Sequence, residues 1–232
     1  MHELSTAARR PPLPARLATL TARTKLGGVL LLLAAIAVSL TVVAWRHLGA
    51  RRNPPPPVIG RMEAFSLYDQ RGKTFQLADL EGKVWVADFI FTSCQAACPM
   101  LTSKMRTLQK HIEEREGAVG HPLPIRLVSF SVDPEVDTPD KLLAYANKWG
   151  VDQARWVFLT GPLADVNRAV TRGLKIPFEK GAADTSAFDV MHGEHFVVVD
   201  GKRRIRGYYE SSPEGMSDLK AALAAILAEK DS

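Results

Sequence analysis

The two cysteines of this 232-residue chain, Cys94 and Cys98, stand in the stretch DFIFTSCQAACPM with Pro99 directly behind the second. By local chemistry such a pair is a structural disulfide, a reactive dithiol or half of a metal site. On a regular helix, positions four apart have Cβ atoms about 5–6 Å apart, whereas a disulfide wants about 3.5–4.5 Å. A metal bridging two thiolates through bonds of about 2.3 Å (the zinc value) tolerates the wider gap. Because the segment is expected to be part loop, a disulfide stays open with local adjustment, although closing so small a loop adds little stability. Cys94 follows an apolar strand, and Cys98 is expected at or near the start of a helix. Backbone N–H groups there stabilise a thiolate and lower its pKa.

Two thiolates suit a soft ion such as Cu(I), and holding Cu(II) as well calls for an added imidazole. His2 and His47 flank an apolar N-terminal stretch, His111 lies beside charged residues in a predicted helix, and all three read as solvated. His121 precedes Pro122 in a loop, while His192 and His195 stand in DVMHGEHFVVVD, just before a predicted strand. Met105 falls on a helical core stripe, and neither Met100 nor Met191 joins the candidate ligands. Asp88 is an acid inside an apolar strand, costly there unless paired or functional. Its offset of six residues before Cys94 is that of the buried proton acceptor of thioredoxins. An exposed sheet face or a local hydrogen bond explains it equally well. Asp133, Asp137 and Asp140 read as turn-forming, capping and solvent-exposed residues.

The elements that must position these residues are legible around them. FSLYD and KTFQL, separated by QRG, form a predicted hairpin, and residues 84–91 and 125–132 are predicted strands. Between those strands Leu101, Met105, Leu108 and Ile112 make one helical stripe. DTPDKLLAYANKWG predicts a helix with Thr138 as N-cap, Pro139 at its first position and Gly150 at its close. RWVFLT is a strand, PLADVNRAVTRG a helix, and HFVVVD with RRIRGYY a hairpin turning through the two residues Gly201–Lys202. A last helix starts near Ser212–Pro213 and buries Leu219, Leu223 and Ile226. The order β-α-β-α-β-α-β-β-α after an N-terminal hairpin gives an α/β fold: a thioredoxin-like fold whose central mixed sheet is flanked by helices. In such folds the loop entering the FVVVD strand faces the cysteine-bearing turn.

Upstream, Leu26–Ala44 is free of charge. As a helix it covers roughly 30 Å, enough to cross the hydrocarbon core. The charged RHLGARR that follows fits an uncleaved anchor better than a cleaved signal. The expected organisation is a basic cytoplasmic tail at 1–25, a transmembrane helix at 26–45, a Pro-rich linker at 46–58 and the folded domain at 59–232. The basic residues before the span place the N-terminus inside. Residues 1–52 hold eight of the 30 basic residues and one of the 25 acidic ones, which leaves 22 basic against 24 acidic beyond them. The overall charge of +5 therefore belongs to the membrane flanks, and nucleic-acid binding is set aside.

FIFTSCQAACPMLTSKM, SFSVDPEVDTPDKLLAYA and MHGEHFVVVDGKRRIRGYY together closely resemble the Sco/SenC family. Its members are membrane-anchored, thioredoxin-like copper metallochaperones that help assemble the CuA centre of cytochrome c oxidase. The resemblance runs from about Pro57 to the last helix. It implies Cys94 and Cys98 as thiolate ligands and His192, four residues before Phe196, as the imidazole ligand of a copper ion, Cu(I) or Cu(II). His195 lies one residue before Phe196 and fits that place less well. One position departs: the family reads Cys-Pro-x-x-Cys, and Gln95 replaces the proline, freeing a backbone N–H.

The resemblance implies a chaperone in the bacterial inner membrane, its soluble domain in the periplasm. It would take copper from a donor chaperone and pass it to the copper-bearing subunit of cytochrome c oxidase. The alternative is an enzyme, a thiol-disulfide oxidoreductase that draws on a thiol reductant and reduces the acceptor's cysteines before metal loading. Cys94 and Cys98 would then be catalytic. A peroxiredoxin-type peroxidase fits less well, since its threonine stands three positions before the cysteine and Thr92 stands two before Cys94.

Overall fold

The computed structural model describes residues 32–41, 54–94, 97–177 and 195–230. The chain divides into two compact units, Met1–Arg52 and Asn53–Ser232. In the first, residues 32–41 are helical and exposed, and the rest of the expected span at 26–45 lies outside the described residues. Among the described residues no helix is long and apolar enough to cross a membrane.

The second unit is built on one mixed sheet. Its strands are β1 (Gly60–Arg61), β2 (Ser66–Asp69), β3 (Thr74–Gln76), β4 (Val84–Ile90), β5 (Ile125–Ser131), β6 (Trp156–Thr160), β7 (His195–Val199) and β8 (Arg204–Glu210). They lie in the order β1-β8-β7-β4-β5-β6-β2-β3. β4, β5 and β6 are mutually parallel, and β7 runs antiparallel to β4. β4 is thus flanked on both sides and buried along its whole length, which is why its sequence is nearly all apolar.

Alternation along the strands divides the core between two faces. Val84, Val86 and Ile90 of β4 pack with helix α1 (Ala97–Val119), α2 (Pro139–Lys148) and α4 (Pro213–Lys230). Trp85, Ala87 and Phe89 pack on the opposite face with Val166 of the short helix α3 (Leu163–Asn167) and with Leu77 and Leu80. The predicted stripe Leu101, Met105, Leu108 and Ile112 is buried as one ridge of α1. Each such side chain contributes about 1.5–3 kcal/mol by leaving water.

Local signals set the helix ends. Thr138 Oγ1 accepts the N–H of Lys141 at 3.5 Å, with Pro139 in the first turn of α2. Gly150 follows that helix with φ +57°, a conformation a side chain would strain. Ser212 Oγ accepts the N–H of Gly215 at 3.1 Å and opens α4.

Three local details differ from expectation. The predicted helix 162–173 is α-helical only through Asn167 and then widens into a π turn, Arg168–Gly173. Met62 leaves no room at its end, since a Cβ on Gly173 would lie 2.6 Å from Met62 Cε. The β7–β8 turn is also longer than two residues. Gly201 and Lys202 occupy its centre, closed by Arg203 N–H to Asp200 O at 2.9 Å, but Arg203 at φ +64° adds a third. That is the three-residue loop ending in a left-handed residue. Asp200 Oδ1 holds it by accepting the N–H groups of Lys202 and Arg204 at 2.9 and 3.0 Å. Finally, the proline segment continues into β1, an edge strand on β8 that the sequence pattern does not announce.

Candidate metal centre

Beyond β4 the chain turns through Thr92 and Ser93 to Cys94, whose N–H donates to Phe91 O at 3.2 Å. Cys98 is the second residue of α1. Both cysteines are free thiols, and the Cys98 N–H donates to Cys94 Sγ at 3.3 Å. The first turn of α1 therefore aims a backbone donor at the Cys94 sulfur. Cys94 is partly buried and packs against the core cluster of which Cys98, at 2% exposure, is a member.

The expectation that a helix N-terminus would lower the thiol pKa does not hold for Cys98. Burial pushes that thiol far up, and its hydrogen bond with Cys94 adds to the rise. Desolvating a thiolate costs more than the helix end returns, so Cys98 holds its proton at neutral pH until something cationic replaces it.

The loop carrying Cys94 is held by a residue that sequence reasoning passed over. Asp137 is fully buried. Its carboxylate accepts the Thr92 N–H at 3.1 Å, the Thr92 hydroxyl at 2.5 Å and the Ser131 hydroxyl at 2.7 Å. Of the roles read for Asp133, Asp137 and Asp140 together, solvent exposure does not apply to Asp137. Its place directly before the Thr138 N-cap disguised it, and only the contact with Thr92, 45 residues away, reveals it.

Asp88 is also fully buried, on the same face of β4 as the cluster around Cys98. Its Oδ1 accepts the Ser129 hydroxyl at 2.5 Å, and Ser129 Oγ in turn accepts the Trp156 indole N–H at 2.8 Å. Oδ2 has no hydrogen-bond partner among the described residues. Burial raises the Asp88 pKa to about 7, against the lowering effect of Ser129. Of its candidate explanations, an exposed sheet face is excluded.

His192 lies outside the described residues, as do Met191 and Gln95. His195 is the half-buried first residue of β7, paired with Glu210 on β8. Because β7 runs antiparallel to β4, it starts at the end of the sheet where β4 runs out toward Cys94. Among the described residues no three His, Cys, Asp or Glu side chains form a metal cluster. The described donors that do come together are the two thiols, a soft pair suited to Cu(I). Met105 is wholly buried on the core ridge, whereas Met100 is 37% exposed.

The SCO1/SenC family model matches residues 57–228. A SCO1 protein homolog of Bacillus subtilis (strain 168) is 32% identical over 172 residues, 72% of this chain and 84% of that protein. The structure of BsSco, described as a member of the Sco family of cytochrome c oxidase assembly proteins with a disulfide switch, is 28% identical. It aligns with a TM-score of 0.63 over 75% of this chain and 98% of its own. A copper-bound ScoI of Arabidopsis thaliana, 20% identical, aligns with a TM-score of 0.57 over 72% of this chain and 98% of its own, a likeness of fold.

Proposed function

The chain belongs to the SCO1/SenC family, whose members are copper-binding cytochrome c oxidase assembly proteins, and from that premise we propose that it is a membrane-anchored copper chaperone. Residues 26–45 form its anchor, and the domain stands on the periplasmic side of a bacterial inner membrane. Cys94, Cys98 and His192 hold the copper, which passes by ligand exchange to the CuA site of cytochrome c oxidase.

The observation that carries this reading is the meeting of Cys94 and Cys98 at the head of α1, Cys98 N–H on Cys94 Sγ at 3.3 Å. The strand after His192 begins at the same end of the sheet. The partly buried Cys94 gives an acceptor thiolate a route of attack, while buried Cys98 is the ligand released last. An anchor confines donor and acceptor encounters to the membrane plane and raises their effective concentration. Thiol-disulfide exchange by the same pair is the second reading, and buried Asp88, six residues before Cys94 and on the Cys98 face of β4, is the observation that favours it.

Delivery is tested by mixing the copper-loaded chain with a metal-free, reduced CuA domain and following the CuA absorption bands. The wild-type chain should generate them and a Cys94→Ser variant should not. A chain that keeps its copper in the presence of acceptor, or a Cys94→Ser variant that still generates the bands, overturns the assignment.

A further inference from the structure

About thirteen residues along α1 from Cys98, on the order of 20 Å at the helical rise, a groove of about 260 Å³ opens between α1 and α4. Its lining includes the buried side chains of Ile112 and Leu223, with Arg115, Lys220, His111 and His121 alongside them. Neither Arg115 nor Lys220 forms an ion pair among the described residues. Both lie close enough to His111 to hold its pKa below the ordinary histidine value, after burial and against the opposing pull of Glu114. The permanent charge of the groove lining is that of Arg115 and Lys220. Two cations with no ion-pair partner among the described residues, beside an apolar lining, suit a ligand with an anionic head and a hydrocarbon body.

The chain enters the domain near one end of this groove. Arg206 donates to Pro56 O through Nε at 2.8 Å and Nη2 at 2.6 Å, and its Nη2 also donates to Glu229 Oε2 at 2.7 Å. The proline linker is thereby fixed beside the last turn of α4, where Leu227 and Ala228 line the end of the groove. Between Ala44 and Pro56 the chain can reach about 40 Å at most, and it carries Arg46, Arg51 and Arg52. If 26–45 is an anchor, and the argument from reach rests on that reading, the groove stays within range of the bilayer surface.

We propose that the groove between α1 and α4 docks on anionic phospholipid head groups, with Arg115 and Lys220 on the phosphate and the accessible Val119 and Leu227 of the lining against the first methylenes. The interaction is electrostatic at long range and apolar at contact, so it weakens with salt without vanishing.

The test is hydrogen exchange of the full chain in nanodiscs of phosphatidylcholine alone and of phosphatidylcholine with phosphatidylglycerol. Exchange over 111–121 and 220–228 should slow roughly threefold or more in the anionic discs. An Arg115→Gln/Lys220→Gln double variant, altered only at the groove, should lose that difference while the remaining exchange pattern is kept. Equal protection in both lipids overturns the proposal, as does a difference that survives the double substitution. Flotation of the discs reports separately on the anchor. Should the chain fail to co-float, the same comparison with vesicles added to it still reads the groove.

Discussion

Asp137 and Thr92, 45 residues apart, are joined by three hydrogen bonds: the Thr92 N–H reaches both carboxylate oxygens at 3.2 and 3.1 Å, and the Thr92 hydroxyl reaches Oδ1 at 2.5 Å. The loop that presents Cys94 is thus fixed by an acid from just before the second helix as well as by its own turn, Cys94 N–H on Phe91 O. Asp137→Ala leaves these buried donors unanswered and should cost about 2–4 kcal/mol in urea unfolding. It should also weaken copper binding at least several-fold, because Cys94, a proposed ligand, loses its fixed approach. Unchanged copper affinity in a folded Asp137→Ala chain would limit this residue to stability.

The buried carboxyl of Asp88 sets a pH dependence with a definite sign. Its pKa is raised by burial to about 7, so between the ordinary carboxylate range and that value the folded chain holds a proton the unfolded chain has lost. Stability therefore falls as pH rises through this window. Asp88→Asn should match the wild type near pH 4 and be the more stable at pH 8. The raised value sets an upper bound on that difference of roughly 4 kcal/mol. Parallel stability curves for the two chains would contradict the burial argument.

Copper binding should depend on pH in the opposite direction. Burial keeps Cys98 protonated at neutral pH, so loading must release at least that proton. The apparent copper affinity, followed by competition with a chelator, should rise about tenfold per pH unit for each proton released. A flat profile between pH 6 and about 8 is incompatible with Cys98 as a ligand.

The methionines separate core from surface. Met105→Ala removes a fully buried side chain from the ridge of α1 and should destabilise the domain by about 2–5 kcal/mol. Met100→Ala, at an exposed position, should stay within about 0.5 kcal/mol. Thermal unfolding of the two variants checks the contrast.

Strands β4 and β5 and the ridge of α1 were readable because burial writes itself as period: continuous apolar runs in a central parallel pair, and spacings of three and four on a helix. The Thr138–Pro139 start of α2 was readable because capping is local chemistry. What was not readable depends on distant chain. Gly173, at the end of the π turn, is crowded by Met62, and Asp137 is identified by its contact with Thr92; the third residue of the β7–β8 loop, held by the neighbouring carboxylate of Asp200, is the local exception. At the candidate metal centre, the sequence pattern puts Cys98 at or near a helix start, and it is the second residue of α1. It also suggests an easily ionised pair, which the burial of Cys98 contradicts, since depth under a sheet is a property of the fold and not of the motif. The proposed third ligand, His192, rests on family resemblance and lies outside the described residues.

The central claim is tested most directly by copper stoichiometry and affinity of the reduced full chain beside its Cys94→Ser, Cys98→Ser and His192→Ala variants. The account predicts one tightly held copper in the wild type, its loss in either serine variant, and weaker binding in His192→Ala, most marked for Cu(II). Full affinity in all three variants, or no copper in the wild type, would contradict it.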